Sequence, residues 1–229
     1  MPKITEAGKR REKRGTGTEG GYRPYIKARE LNSTGTAESL RDYKTGRVVE
    51  LLSQGEVWYW YLLRWRDDVA DIREQYPLRL TDTLRLAREL GIRHPDDGRR
   101  PMTTDLYVTL TDASHEAYSV KAGRKSLNNP RTVEKLYLEK LYWQARGVPF
   151  HLVFKEDVSR VLIRNIMDVT ACYDEADVHD RASLIRHRIA RKELKADLSR
   201  GPLDIEMLIR EEHLHGRMDG PVGEDHPAE

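Results

Sequence analysis

An acid and a lysine stand in two short segments that together predict a β-hairpin. Residues 104–108 and 118–121 each alternate polar and apolar side chains, and a polar stretch centred near Ala113 separates them. Asp105 and Lys121 are equidistant from that centre, so antiparallel pairing would set the carboxylate opposite the ammonium on one sheet face. A carboxylate is a hard ligand for Mg²⁺, and a neighbouring lysine can orient an attacking water and offset charge on a phosphate. The spacing indicates either a phosphodiester-cleaving pair or a solvated surface ion pair.

A second carboxylate opens an aromatic segment further upstream. Ser53 and Glu56 have the spacing of a capping box, in which the serine caps a helix and the glutamate takes the third helical position. Aromatic and aliphatic residues lie almost all round the helix that follows, so we expect it to be buried against a sheet. Glu56 is either a capping residue or a carboxylate that leans over the adjoining sheet edge, and the two roles conflict only partly.

The elements that would position these residues follow a mixed order. The pattern predicts helices over residues 36–43, 81–90 and 130–147, a further helix that begins after Ser53, and extended chain over 47–52, 69–78, 104–108, 118–121 and 148–154. Three further helices are predicted at 157–172, 180–198 and 202–215. This order predicts an α/β core, with a mixed sheet flanked by helices, and a small helical C-terminal domain.

Composition sets broader limits. The chain has 229 residues, 38% of them hydrophobic, a formal net charge of +2 and one cysteine, Cys172. A single cysteine excludes an intramolecular disulfide and suggests a reducing compartment. The longest apolar run, residues 57–63, is too short to cross a membrane, and no apolar signal core follows the N-terminus. We therefore expect a cytoplasmic protein without a membrane partner.

The two ends of the chain differ in charge. Residues 1–30 are basic and contain few apolar side chains, which predicts a flexible basic arm that either follows a phosphate backbone or solubilises the terminus. Residues 216–229 predict a disordered acidic tail. The arm, a core over residues 31–156, a helical domain over 157–215 and the tail make up the expected domain organisation.

Basic residues flank the predicted hairpin on both sides. Arg99 and Arg100 lie in a loop that leads into the Asp105 strand, while Arg124 and Lys125 lie in a turn of small residues after it. Such positions suit contact with a DNA phosphate backbone, although surface solvation explains them equally well. Downstream, Glu139 lies on an apolar helix stripe, where a carboxylate either faces the site or is shielded at a boundary.

Two longer strings carry a family resemblance. They are IREQYPL at residues 72–78 and PRTVEKLYLEKLYW at residues 130–143, in order with the Glu56 segment. This set resembles the TnsA endonuclease family, the restriction-enzyme-like subunit of heteromeric transposases, over about residues 46–154. The resemblance implies a restriction-endonuclease-like fold and a C-terminal domain of winged-helix-like type.

By position, the resemblance also implies a set of site residues. The family's essential acids, its catalytic lysine and a further functional acid fall on Glu56, Asp105, Lys121 and Glu139. The family usually carries a glutamine two residues before the lysine, where this chain has Ser119. The resemblance implies Mg²⁺, with Mn²⁺ as a substitute, held by the first two acids together with the Ser119 hydroxyl or a backbone carbonyl such as that of Val120.

The resemblance further implies partners. Family members nick the 5′ ends of a transposon while a TnsB-type transposase cuts the 3′ ends under a TnsC-type ATPase, and they use no nucleotide cofactor themselves. Two alternatives stay open at this point. Ser119 gives some support to a DNA-binding adaptor whose nuclease core is inactive, and a stand-alone restriction-like nuclease is the other. The acids and lysine favour an active enzyme, and the IREQYPL string favours the transposon setting.

Overall fold

The computed structural model describes residues 4–30 and 37–218, with side chains described as far as residue 212. Within these ranges the helices are α1 (Glu6–Arg11), α2 (Gln54–Trp65), α3 (Leu80–Glu89), α4 (Pro130–Gln144), α5 (Arg160–Thr170), α6 (Arg181–Ala190) and α7 (Ile205–Met218). The strands are β1 (Glu38–Arg41), β2 (Val48–Leu51), β3 (Val69–Pro77), β4 (Thr103–Leu110), β5 (His115–Lys121) and β6 (Phe150–Phe154). The chain divides into two compact units, residues 1–159 and 160–229.

The first unit is built on a four-stranded mixed sheet. Its strand order is β3-β4-β5-β6, in which β3, β4 and β5 are mutually antiparallel and β6 runs parallel to β5. Parallel neighbours need a crossover connection, and α4 lies in the one between β5 and β6. This arrangement confirms the predicted class, a restriction-endonuclease-like mixed sheet flanked by helices.

Local capping signals fix the start of the two helices that matter most for the site. The Ser53 hydroxyl accepts a hydrogen bond from the Glu56 N–H at the start of α2. Asn129 caps α4 in the same way through the Arg131 N–H, and Pro130 occupies the first helical position. Both helix starts agree with the sequence prediction.

The two helices cover opposite faces of the sheet. On one face, Trp60 and Leu63 of α2 pack with Leu106 and Val108 of β4. On the other face, the apolar residues of α4 pack against Tyr107, Ala117 and Leu78, in a cluster that includes Leu138, Tyr142 and Trp143. The alternation of Leu106, Tyr107 and Val108 between the two clusters is the pattern of a strand that is buried on both sides.

A separate two-stranded sheet replaces one predicted helix. Residues 36–43 were expected to be helical, but Glu38–Arg41 form β1, which pairs antiparallel with β2. Leu40 packs against the cluster that contains Trp60. Pairing with β2 satisfies the backbone of this short segment, and this tertiary contact overrides its local helical pattern.

The N-terminal segment is folded where the structure describes it, so the prediction of a flexible arm over residues 1–30 is wrong for residues 4–30. Thr5 caps α1, and the Tyr22 hydroxyl donates a hydrogen bond to the backbone carbonyl of Glu74 in β3. Tyr22 and Tyr25 are both buried. Two large aromatic side chains provide the buried apolar area that the basic composition of the segment conceals. Of the predicted tail, residues 219–229 lie outside the described residues.

The second unit consists of α5, α6 and α7 as far as it is described. Ile163, Ile166 and Val169 of α5 are buried, as are Ile185 and Ile189 of α6. Residues 160–218 contain no β-strand, so a wing is not part of the described unit. None of the helices in the described residues is long and apolar enough to cross a membrane.

Candidate active site

The β4–β5 hairpin sets the register of the candidate site. Leu106 pairs with Tyr118 and Thr109 with His115, so the position opposite Asp105 is that of Ser119. The prediction that Asp105 and Lys121 face each other directly is therefore wrong by two residues.

The hairpin loop explains the difference. The Leu110 N–H donates to the Ser114 carbonyl, which closes a three-residue loop, and Ala113 adopts a left-handed φ of 66°. A three-residue loop whose last residue is left-handed is a common hairpin connection, but its centre falls one residue before Ala113.

Lys121 still reaches Asp105, diagonally. Its Nζ lies 3.4 Å from Asp105 Oδ2, 2.9 Å from Ser119 Oγ and 3.0 Å from the Val120 carbonyl. The Val120 N–H donates to the same Oδ2 at 2.7 Å, and the Ser119 hydroxyl lies 3.4 Å from it. Residues two apart on a strand share a face, and a long side chain spans the diagonal. The structure thus brings Asp105, Ser119, Val120 and Lys121 together, with all these Asp105 interactions on one carboxylate oxygen.

Glu56 approaches from the start of α2 and is almost fully buried. Its Oε2 accepts hydrogen bonds from the Leu52 N–H at 2.9 Å and from Gln75 Nε2 at 3.0 Å, and its Oε1 accepts from Ser53 Oγ at 3.0 Å. Burial, and then the charge of Asp105, raise the pKa of Glu56 to about 8, against the lowering effect of these hydrogen bonds. Glu56 therefore stabilises the start of α2, and its pKa also depends on the charge of Asp105.

Glu139 reaches the same place from α4. The Thr104 hydroxyl donates to Glu139 Oε1 at 2.8 Å and itself accepts from Trp143 Nε1 at 2.7 Å. Burial, followed by the charge of Asp105, raises the pKa of Glu139 to about 8, and Thr104 and Lys121 lower it in part. Of the two readings open from the sequence, the structure supports the one in which this carboxylate faces the site.

A cleft of about 430 Å³ lies over Asp105, Lys121 and Glu139, whereas Glu56 is outside its lining. Its walls come from β4, β5, α4 and the loops beside them. The lining includes Asp105, Ser119, Lys121, Lys135 and Glu139. A cleft lined by two acids, several hydroxyl groups and two ammonium groups is suited to a phosphate-bearing ligand that binds together with a cation.

Gln75 is a site residue that sequence reasoning missed. It is buried in β3 with a left-handed φ of 48°, which is rare for a residue with a side chain. Its carboxamide donates to Glu56 Oε2 and accepts from the Thr103 hydroxyl at 3.1 Å, so it links α2 to β4. Because Glu74 pairs with Leu106 and Tyr76 with Thr104, Gln75 lies across from Asp105. The IREQYPL string contained it, but alternation gave no sign of its backbone conformation.

At Gln75 and Asp105, the side chains of β3 and β4 change the face of the sheet on which they lie. Glu74 forms an ion pair with Arg47 beside β2, whereas Tyr76, two residues on, stacks against Tyr107 in the α4 layer. In β4, Leu106 likewise packs in the α2 layer while the Thr104 hydroxyl contacts α4. Residues two apart normally share a face, so both strands reverse between these positions. The reversal lets a carboxylate from each helical layer approach Asp105.

The four predicted DNA contacts lie outside the cleft lining. Arg99 pairs with Asp96, Arg100 with Asp96 and Glu6, and Arg124 with Glu156 and Asp157. Lys125 has no ion-pair partner among the described residues. Pro95 and Pro101, on either side of the first two arginines, do line the cleft. The structure thus places these cations in loops beside the cleft and pairs the three arginines with nearby acids.

The donor set fits a magnesium ion. Within the described residues, no three acidic, histidine or cysteine side chains already surround one point. Mg²⁺ is usually held by one or two carboxylates and keeps several waters, so it does not need such a cage. Asp105 and Glu56 would supply the carboxylates. Burial, and then repulsion by Asp105, raise the pKa of Glu56, and a divalent cation would offset that repulsion. Ser119 Oγ and the Val120 carbonyl add neutral oxygens beside them.

The two raised pKa values predict how stability depends on pH. An unfolded glutamate titrates near 4.5, whereas Glu56 and Glu139 titrate near 8 in the folded protein. Between these values the folded state binds more protons, so without metal the free energy of unfolding falls as pH rises toward 8. We expect Glu139→Gln to melt several degrees above the wild type at pH 8 in EDTA and to match it near pH 4.5.

Thermal melts across this pH range, with Glu134→Gln as the control for an exposed glutamate, check the prediction. An equal gain at both pH values would show that the carboxylate's charge is not the cause.

A mixed sheet with an acid and a lysine on its central hairpin, and a further acid from each flanking helix, defines the restriction-endonuclease-like class. Residues 66–155 match the family described as TnsA-like endonuclease N terminal. The chain is 35% identical over 159 residues to the transposon Tn7 transposition protein TnsA of Escherichia coli. The aligned region covers 68% of this chain and 58% of that protein. The chain belongs to the TnsA-like endonuclease family.

Proposed function

We propose that the protein is a Mg²⁺-dependent DNA endonuclease subunit of a transposase, which nicks the 5′ ends of a transposon by phosphodiester hydrolysis. The observation that carries the proposal is that Asp105, Lys121 and Glu139 line one cleft. The buried Glu56 carboxyl lies close enough to Asp105 for the aspartate charge to affect its pKa. Family membership supports it, since the relative is a transposition protein by name. The chain spans 58% of the length of that relative.

The chain's own groups have separate roles in this proposal. Asp105 and Glu56 would hold the ion, assisted by the Ser119 hydroxyl and the Val120 carbonyl. A bound Mg²⁺ would neutralise charge on the scissile phosphate and favour deprotonation of an attacking water. The Lys121 ammonium, held by Asp105 and Ser119, orients that water. It also offsets the negative charge that grows on the phosphate as the water oxygen bonds to phosphorus and the bond from phosphorus to the leaving oxygen breaks.

Glu139 acts as an accessory acid. Its pKa near 8 means that its carboxyl holds a proton at neutral pH before a cation enters. A divalent cation bound in the cleft would lower this pKa and favour the ionised carboxylate of Glu139. The Thr104 hydroxyl, itself bonded to Trp143, fixes the carboxyl toward β4.

DNA contacts would come from the loops beside the cleft. Arg99, Arg100, Arg124 and Lys125 are placed to bind backbone phosphates there, with the arginines exchanging their acidic partners for phosphate. Asp96, Glu156 and Asp157 are exposed, and surface ion pairs contribute about 0–1 kcal/mol, so exchanging these partners costs little. Phosphate contacts position a protein without reading sequence.

Sequence specificity would therefore come from partners. A formal net charge of +2 gives the isolated chain modest attraction to DNA. A TnsB-type transposase would recognise the element ends and cut the 3′ strands, under the control of a TnsC-type ATPase. The chain itself would need no nucleotide cofactor, and its DNA substrate fits the cytoplasmic location expected from the sequence.

A nicking assay tests the proposal. Duplexes that carry a transposon end, labelled separately on each strand, are incubated with Mg²⁺, Mn²⁺ or Ca²⁺, with and without the cognate transposase. We expect 5′-end nicks with Mg²⁺ or Mn²⁺ and the transposase, little cleavage by the chain alone, and none with Ca²⁺, whose looser coordination misplaces the water. Sequence-specific double-strand cleavage by the chain alone would instead identify a stand-alone nuclease, and binding without any cleavage would identify an adaptor.

A further inference from the structure

Another cavity of the first unit lies next to the cleft that contains Asp105. Its volume is about 700 Å³, and it is enclosed by α1, the segment after it, and the junction between β3 and α3. The lining is strongly basic and contains one acid, Glu6. The cationic residues in it are Lys9, Arg10, Arg14, Arg79 and Arg146.

Three of these cations are held by the fold. Lys9 is buried, 3.9 Å from the centre of the Tyr25 ring, and pairs with Glu6 at 3.6 Å. Burial lowers the pKa of Lys9, whereas the charge of the neighbouring Glu6 carboxylate raises it in part. Arg14 pairs with Glu12 and Glu30, and Arg146 with Asp82. These residues shape the cavity and leave little free charge.

The other two cations are available to a ligand. Arg10 stands on α1 and Arg79 at the β3–α3 junction, and both side chains are exposed. Neither has a carboxylate partner among the residues that the structure describes. Two unpaired guanidinium groups on different elements of one concave surface form a binding site suited to a phosphate group.

The cavity and the cleft are neighbours on the surface of the first unit. Pro101 lines both, and the strand that leaves Pro101 reaches Asp105 four residues later. On the neighbouring strand, Tyr76 and Pro77 of the cavity wall directly follow Gln75. A strand bound with one phosphate at Asp105 carries further phosphates at about 3.4 Å of axial rise each, so a strand that leaves the cleft past Pro101 would bring neighbouring phosphates along this surface.

We infer that the cavity binds the backbone of the DNA beyond the scissile phosphate, with Arg10 and Arg79 as the phosphate contacts. The inference rests on the proposed endonuclease function for its substrate. It gives the folded N-terminal segment a role: the segment is one wall of the DNA path. The contact is to the phosphodiester backbone and is independent of base sequence.

The double variant Arg10→Gln/Arg79→Gln tests the inference in the full-length chain. The matched control is Arg11→Gln/Arg88→Gln, which removes the same charge from exposed arginines of α1 and α3 outside the cavity lining. Binding of a duplex of arbitrary sequence is measured in EDTA at several salt concentrations. We expect the cavity variant to bind about tenfold more weakly than the control, with a log–log salt slope smaller in magnitude by about 1.8, or about 0.9 per lost phosphate contact.

Truncated duplexes locate the contact. Cleavage with the transposase and Mg²⁺ is compared on duplexes shortened on either side of the nick. Shortening on one side should abolish the difference between cavity variant and control, because the missing phosphates are those that the cavity binds. Equal binding by the two variants would overturn the inference even if both cleave DNA normally. A difference in binding without any cleavage would support DNA binding by the cavity and contradict the endonuclease function.

Discussion

Asp105→Asn and Lys121→Met are each expected to lower the rate of strand nicking on the order of 10³-fold while the protein stays folded. Asn keeps the shape of the aspartate and an acceptor for the Val120 N–H, but it removes the charge that binds a divalent cation. Met keeps most of the length of the lysine and removes the ammonium beside the cleft. Metal and charge stabilisation of this kind contribute several kcal/mol to a transition state, which corresponds to that loss of rate.

Single-turnover nicking in the presence of the transposase measures this effect. Lys140→Met is the matched control, because Lys140 is an exposed lysine of α4 outside the cleft lining. The Asp105 variant carries a second signature: the pKa values of Glu56 and Glu139 should both fall, since the charge of Asp105 helps to raise them. Nicking at the wild-type rate by either variant would remove that residue from the proposed site.

The parts of the fold that the sequence predicted well depend on local interactions. At the starts of α2 and α4, a serine or an asparagine side chain accepts a hydrogen bond from a backbone N–H two or three residues further on. Such a contact can be predicted without knowledge of the remaining chain. The hairpin shows the limit of such reasoning. Its strands were predicted, but their register depends on which loop closes them, and alternation alone does not determine that Ala113 turns left-handed.

The parts that the sequence did not predict depend on distant contacts. The N-terminal segment has a basic composition, and only the positions of its tyrosines against β3 and α1 show that it folds. The change of facing at Gln75 is similar, because an alternating sequence predicts that residues 74 and 76 share a face. Because the sequence pattern does not show this reversal, it does not predict that Glu56 and Glu139 both approach Asp105. Only the family resemblance indicated it.

Gln75 itself is expected to separate activity from stability. Its left-handed backbone costs about 1–3 kcal/mol for a residue with a side chain, and glycine adopts the same conformation freely. Gln75→Ala removes the carboxamide and keeps the strain, whereas Gln75→Gly removes both. We therefore expect the glycine variant to melt at or above the temperature of the alanine variant, while both lose nicking activity by about 10- to 100-fold, the effect of losing a hydrogen bond to a charged group.

The pH dependence of nicking identifies the reason for that loss. The Gln75 hydrogen bond lowers the pKa of Glu56, so its removal should raise that pKa and move the rising limb of the rate–pH profile to higher pH. Gln75→Glu is the most informative variant. It keeps the shape of the side chain, but an ionised glutamate cannot donate to Glu56 and adds a like charge beside it, so shape alone should not restore activity.

Gln144→Ala, an exposed glutamine at the end of α4, is the control for these measurements. A Gln75→Ala enzyme with the control's rate and pH profile would show that the carboxamide has no part in holding Glu56. A Gln75→Glu enzyme with wild-type activity at neutral pH would show that shape suffices and that the donated hydrogen bond does not matter. A shifted profile in all three Gln75 variants, with the glycine variant at least as stable as the alanine variant, would instead mean that the strained backbone of β3 is retained because it brings this carboxamide to Glu56.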